Sequence, residues 1–193
     1  MKKQSRILIV IASISLIMVF FFPIWRIYLD APQYPEGLGL NIWINKVTGL
    51  NPNDLATING LNHYIGMEKI MPDAIPELSI MPWIIIILIG WGLFASFLNK
   101  KWTVYVWLGA FIIVGAVGLY DFYQWEYTYG HNLNPDAPIK IPGMSYQPPL
   151  IGQKQLLNIN ALSIPFVGTY VILFSVLITF FVLIKEKKME KNK

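Results

Sequence analysis

Four long runs without a charged residue dominate the chain: residues 7–25, 83–98, 102–120 and 164–184. An α-helix rising about 1.5 Å per residue needs about 20 apolar residues to cross a hydrocarbon core of about 30 Å. The run lengths therefore predict four transmembrane helices. The second run is slightly short, and Pro82 stands at its start, where a missing N–H is tolerated; Pro165 is placed in the same way near the opening turn of the fourth. With every ionisable side chain kept out of the four runs, none of them suggests a proton path or an ion channel.

Between the runs the pattern changes. Leu38, Leu40, Ile42 and Ile44 alternate with Gly39, Asn41, Trp43 and Asn45, the period of a half-buried strand over Leu38–Val47. Asn51-Pro52-Asn53-Asp54 then breaks the chain, and Asn53 or Asp54 is placed to cap a helix over Leu55–Met67. Gly60 and several asparagines weaken that helix, so it needs support from other elements. Pro72, Pro76 and Pro82 lead an irregular chain back to the second run. After the third run the helix is expected to continue through Asp121–Tyr129 and stop at Gly130. A proline-rich stretch follows, and Gln155–Asn160 reads as a short strand. Neither intervening segment, 26–81 or 121–163, is long enough to fold apart. The expected architecture is one domain over 1–193, an all-α membrane protein: a four-transmembrane-helix bundle with a small mixed extracytoplasmic cap built jointly by both segments.

Composition agrees with the pattern. Hydrophobic residues make up 55% and charged residues 13% of the 193 positions, far from the quarter charged that is usual in soluble domains. The net charge of +4 is informative only through its distribution. Lys2, Lys3 and Arg6 precede the first run, Lys100 and Lys101 separate the second and third, and Lys185, Lys187, Lys188, Lys191 and Lys193 follow the fourth. The two intervening segments are rich in acid instead, with Asp30, Glu36, Asp54, Glu68, Asp73 and Glu77 in one and Asp121, Glu126 and Asp136 in the other. By the positive-inside rule both termini are cytoplasmic and residues 26–81 and 121–163 face out. The basic tail then reads as a topology determinant touching anionic lipid, with no nucleic-acid partner. The first run is too long for a signal-peptide core, and Phe20-Phe21-Phe22-Pro23-Ile24-Trp25 has no small-x-small cleavage site, so it reads as an uncleaved anchor. Trp25, Trp83, Trp102 and Trp125 fall at the expected interfaces as an anchoring belt. Gly109, Gly115 and Gly118 in the third run are expected to allow close packing within the bundle.

Candidate chemistry is sparse. There is no cysteine, which excludes thiolate metal sites, thiol nucleophiles, disulfides and c-type haem attachment. No phosphate-binding glycine loop, nucleophile elbow or zinc-protease motif occurs, and nothing in the sequence argues for an enzyme. Both histidines, His63 and His131, fall in the outer segments, each with a methionine in reach along the chain. On a helix over Leu55–Met67, His63 and Met67 share a face at i and i+4, and Met144 follows His131 by thirteen residues. Imidazole with thioether is a donor set suited to Cu(I), so His63, Met67, His131 and Met144 are the candidate metal ligands. The plainer alternative is structural histidines and gap-filling methionines. A second candidate is Asp121 with Glu126, carboxylates among Tyr120, Tyr123, Trp125, Tyr127 and Tyr129, where burial would raise a carboxyl pKa and suit quinol binding or proton transfer. A solvated helix end carrying interfacial aromatics is the alternative there. No pair of histidines lies inside the runs, so bound b-type haem is not expected.

Three strings stand out together: Leu61-Asn62-His63-Tyr64-Ile65-Gly66-Met67, Tyr129-Gly130-His131-Asn132-Leu133, and Ile141-Pro142-Gly143-Met144 running into Pro148-Pro149-Leu150-Ile151-Gly152-Gln153-Lys154-Gln155-Leu156-Leu157-Asn158. With the four-span layout they resemble a small family of membrane proteins encoded in the gene clusters of clade II nitrous-oxide reductases, the NosB type. The resemblance implies a setting in a bacterial cytoplasmic membrane, facing a periplasmic copper enzyme. The role implied is maturation or copper supply of that enzyme, or alternatively electron supply as a quinol-handling anchor. The implied partners are the lipid bilayer and nitrous-oxide reductase or its maturation proteins. The resemblance supplies no ligand list of its own.

Overall fold

The computed structural model describes residues 1–191; Lys193 of the basic tail lies outside them. Five α-helices occur: α1 (Lys3–Ser15), α2 (Asp54–Ile65), α3 (Glu77–Leu98), α4 (Lys101–His131) and α5 (Val167–Lys191). A tight 3-10 turn over Leu16–Phe20 extends α1. With that extension, four helices are long and apolar enough to cross a membrane: Lys3–Phe20, Glu77–Leu98, Lys101–His131 and Val167–Glu190. They close into a ring, in which α1 touches α3 and α5 while α4 touches the same two.

The interior of the ring is apolar with a few polar clamps. Ile9, Leu16, Ile85, Val104, Trp107 and Val182 form its buried core. The Trp107 indole N–H donates to Leu88 O across α3 and α4 at 2.8 Å, and Ser175 Oγ donates to Ala12 O across α5 and α1 at 2.8 Å. Such bonds answer polar groups that water does not reach. The glycine that permits close approach is Gly92, where a Cβ would run into Ser13 Oγ and the Trp107 ring. Gly109, Gly115 and Gly118 do not serve as expected: a Cβ at each meets nothing within 4 Å, so they face outward from the bundle.

Above the ring sits a five-stranded antiparallel sheet, order β3-β2-β1-β5-β4. Its strands are β1 (Trp25–Ala31), β2 (Tyr34–Ile42), β3 (Val47–Gly49), β4 (Gly152–Leu156) and β5 (Ile159–Pro165). The small mixed cap expected on the all-α bundle is thus a five-stranded sheet, a larger β component than the two short strands read from the sequence. The joint cap is present: β1 of the first segment pairs with β5 of the second, Ile27 opposite Ser163 and Leu29 opposite Ala161. Trp25, Ile27, Leu38, Leu40, Val47, Ile58 and Ile70 form a second buried core beneath it.

Four boundaries differ from those read off the sequence. The first helix stops at Phe20, because Pro23 and the residue before it disfavour helix, and Trp25 opens the central strand instead of closing the span. Ile164 and Pro165 end β5, and α5 begins at Val167, its first amides answered by Phe166 N–H to Ile24 O and Gly168 N–H to Pro23 O, both 2.8 Å. Gln155–Asn160 is not one strand but the end of β4, a turn with Leu157 at φ 56°, and the start of β5. Pro82 lies within α3, which starts five residues earlier.

At the opposite end the chain's basic clusters meet. Glu186 of α5 accepts Lys2 N–H at 2.8 Å and Ser5 Oγ–H at 2.5 Å, and Lys101 lies 3.9 Å from Glu186 and 2.5 Å from Glu190. Arg6 Nε–H donates to Ser96 O at 2.9 Å. One end of the ring therefore carries Lys2, Arg6, Lys101 and Lys185, and the other carries the sheet.

Candidate functional site

The outer part of α4 organises the cap. At the spacing of a helix, residues 122, 125 and 129 share one column and 123, 127 and 131 another. The first column packs inward: Phe122 meets Trp25 edge-on at 5.4 Å, and Trp125 meets Tyr129 at 4.4 Å. The second column faces out, with the His131 ring stacked on Tyr127 at 4.0 Å. Trp125 thus belongs to the core under the sheet rather than to an interfacial belt.

After α4 the chain turns back over its own helix and over α2. Asn134 N–H donates to Gly66 O at 2.8 Å and Ile139 N–H to Tyr64 O at 2.9 Å, while Tyr146 N–H donates to Gly130 O at 2.9 Å. The first two bonds lay the segment that follows His131 against the His63 string, although the two lie in different parts of the chain. His63 and His131 are both exposed, and Met67 and Met144 are half-buried. His131 Nδ1 lies 2.9 Å from Tyr127 O; with Nδ1–H donating to that carbonyl, Nε2 is left as a free lone pair, the arrangement common in metal-binding imidazoles. The expected His63–Met67 helix face is not formed. Gly66 takes a left-handed conformation (φ 83°), the helix ends at Ile65, and Met67 N–H folds back to Asn62 O at 2.9 Å, a common C-terminal stop. Among the described residues no three His, Asp or Glu side chains converge on one point.

Asp121 and Glu126 separate into different environments. Asp121 is exposed beside the helix; partial desolvation and, secondarily, the Glu77 carboxylate push its carboxyl up. Glu126 lies beyond residue 120 on the inner side of α4 and is fully buried. Neither carboxyl oxygen has a hydrogen-bond partner, and burial pushes the group up to about 8. Four residues on, Gly130 faces the strap at Gln147 so closely that no Cβ fits. The Tyr146 hydroxyl on that strap is likewise buried without a partner.

Tyr146 and Arg26 were missed by sequence reasoning. Nothing local marks Tyr146, whose burial comes from the strap lying across α4. Arg26 carried a signal, being one of the chain's two arginines and the one away from the basic clusters. Asp54 also proves to be an anchor: its buried carboxylate accepts Gly39 N–H at 3.1 Å and Asn51 N–H at 3.0 Å, tying α2 to the sheet. No family model matches this chain, and no curated protein is significantly similar to it.

Proposed function

We propose that this is a non-enzymatic accessory protein of a bacterial cytoplasmic membrane, whose outer cap supports maturation or copper supply of a periplasmic copper enzyme such as nitrous-oxide reductase. The membrane part is supported by the exposed apolar belt of the ring, with Phe97 78%, Ile87 66% and Leu177 65% exposed, a surface that only lipid covers well. Cytoplasmic placement of both termini follows from the basic clusters gathered at the end of the ring opposite the sheet. The observation that carries the functional reading is that backbone bonds from Asn134 and Ile139, in the segment that follows His131, hold that segment against Gly66 and Tyr64 of the His63 string. Cu(I) is the cargo that their imidazole and thioether donors suit. His63, His131, Met67 and Met144 supply the donors in this reading, His131 through Nε2.

Competition with a Cu(I) chelator in detergent tests it. Stoichiometric Cu(I) uptake is expected, lost in His63→Ala and His131→Ala. No uptake by the intact protein would remove the copper part and leave the cap as a docking surface for maturation proteins.

Glu126 favours a second reading, a quinol-handling anchor or electron-transfer subunit, since a protonated carboxyl beside aromatic rings suits proton exchange with a quinol. Full burial of Glu126 means that a quinol reaches it only if the residues covering it move. Quinol-analogue binding weakened in Glu126→Gln and Asp121→Asn would favour that reading over copper.

A further inference from the structure

We propose that Arg26 is the centre of a phosphate-binding site at the outer end of the bundle. Arg26 is half-buried on the face of β1 opposite Trp25 and Ile27, and its side chain is held from three sides. Nε–H donates to Asn41 Oδ1 at 2.8 Å, Nη1–H donates to Tyr28 Oη at 2.8 Å, and the guanidinium carbon lies 3.6 Å from the Phe166 ring centroid. These contacts fix the orientation of the planar fork without neutralising it. Both ion pairs among the described residues belong to Lys101, so no described carboxylate lies within 4 Å of the Arg26 guanidinium.

A guanidinium has five N–H donors, and Arg26 commits two of them to protein oxygens. A partly desolvated cation with free donors is costly unless an anion completes it. The fork geometry matches two oxygens of a phosphate, which it binds in bidentate fashion. The start of α5, next to Phe166, adds the positive end of a helix dipole. The Phe166 and Gly168 amides there are occupied by the Ile24 and Pro23 carbonyls, so the anion is held by the guanidinium. The position also selects the ligand. Arg26 pairs with Ile164 just before α5 and follows closely the end of the first apolar helix. That is the depth of the outer phosphate layer, a placement that rests on the membrane reading above. The shared chemistry is a phosphate group, supplied by a phospholipid headgroup or by free phosphate.

Native mass spectrometry of the full chain in detergent separates these sources. The probes are phosphatidylglycerol, a glycosyl diacylglycerol with the same acyl chains, and inorganic phosphate. The wild type is expected to retain one phosphatidylglycerol with at least about tenfold preference over Arg26→Gln, the scale of a charge-assisted bidentate contact. Arg26→Lys, keeping charge but losing the fork, should fall between them. Displacement of the lipid by millimolar inorganic phosphate would identify free phosphate as the ligand of the same site. Equal retention by wild type and Arg26→Gln, or equal retention of the glycolipid, would overturn the proposal. If Arg26→Gln loses its helical circular dichroism, Phe166→Leu, which removes the stacking surface alone, gives the same comparison. Extraction of the protein without detergent would sink the membrane reading separately, and phosphate binding would still be measurable.

Discussion

Glu186, close to the end of α5, and Glu126, in the outer part of α4, are carboxylates buried at opposite ends of one ring of helices, 5% and 0% exposed. Glu186 is surrounded by donors. Burial alone would raise its pKa, but the Ser5 hydroxyl, the Lys2 amide, the N-terminal ammonium and Lys101 together hold it below the ordinary carboxylate range. Glu126 has no donor at all and is pushed the other way. A buried charge persists where hydrogen bonds and opposite charge replace water, and gives way to the neutral form where they do not. The Glu186 end is thus a saturated lock joining the N-terminus, the α3–α4 turn and α5. The sheet end keeps polar capacity in reserve, in Glu126, Tyr146 and the free donors of Arg26.

The largest expected effect tests the lock. Glu186→Ala removes several charge-assisted bonds at once and should cost about 2–3 kcal/mol, read from denaturant-induced unfolding in detergent micelles. Because the folded pKa of Glu186 is lowered, its contribution is present above the ordinary carboxylate range and is lost as pH falls through the folded value. Wild type and Glu186→Ala should therefore converge in acid. A cost below about 0.5 kcal/mol would mean that the network is a solvated surface cluster and would dissolve the contrast.

The next effect tests how firmly the strap covers the sheet end. Gly130→Ala forces a Cβ against the Gln147 backbone, and overpacking of that kind should cost about 2 kcal/mol. Gly109→Ala meets nothing within 4 Å and should be neutral or gain up to about 1 kcal/mol from helix propensity. Equal effects at the two positions would show that the strap does not press on α4.

Gly109 also shows where sequence reasoning stops. The four long apolar helices were legible because hydrophobic run length alone marks them; of the strand expected over Leu38–Val47, Leu38–Ile42 falls in β2, and the chain then turns through Trp43–Lys46 into β3. The central strand β1 was hidden: Trp25, Ile27 and Leu29 follow directly on the apolar first run, and hydrophobicity does not register that Pro23 changes the period from helix to strand. Which glycines serve packing was equally hidden, since Gly92 and Gly109 look alike until a neighbouring helix is placed beside one of them. For the site, the sequence marked His63, His131 and Glu126 by residue type. The loss of the His63–Met67 face turned on a single left-handed glycine, Gly66, and the isolation of Glu126 turned on its full burial in the folded chain, which residue type does not reveal.

The smallest effect bears directly on Glu126. Its folded pKa of about 8 stands above the ordinary value of 4.5, so the folded protein holds a proton that the unfolded chain releases between those values. Stability accordingly falls as pH rises from 4.5 towards 8, and the full penalty, on the order of a few kcal/mol at most, applies above 8. Glu126→Leu removes the group that titrates and leaves an apolar side chain at a fully buried position. The variant should match wild type within about 1 kcal/mol at pH 5, exceed it by about 1–2 kcal/mol at pH 9, and lack the decline between them. Unfolding in detergent micelles across that range reads both. A wild-type curve as flat as the variant's would mean that a donor reaches Glu126 after all, and the two ends of the ring would then obey the same rule of paired buried charge.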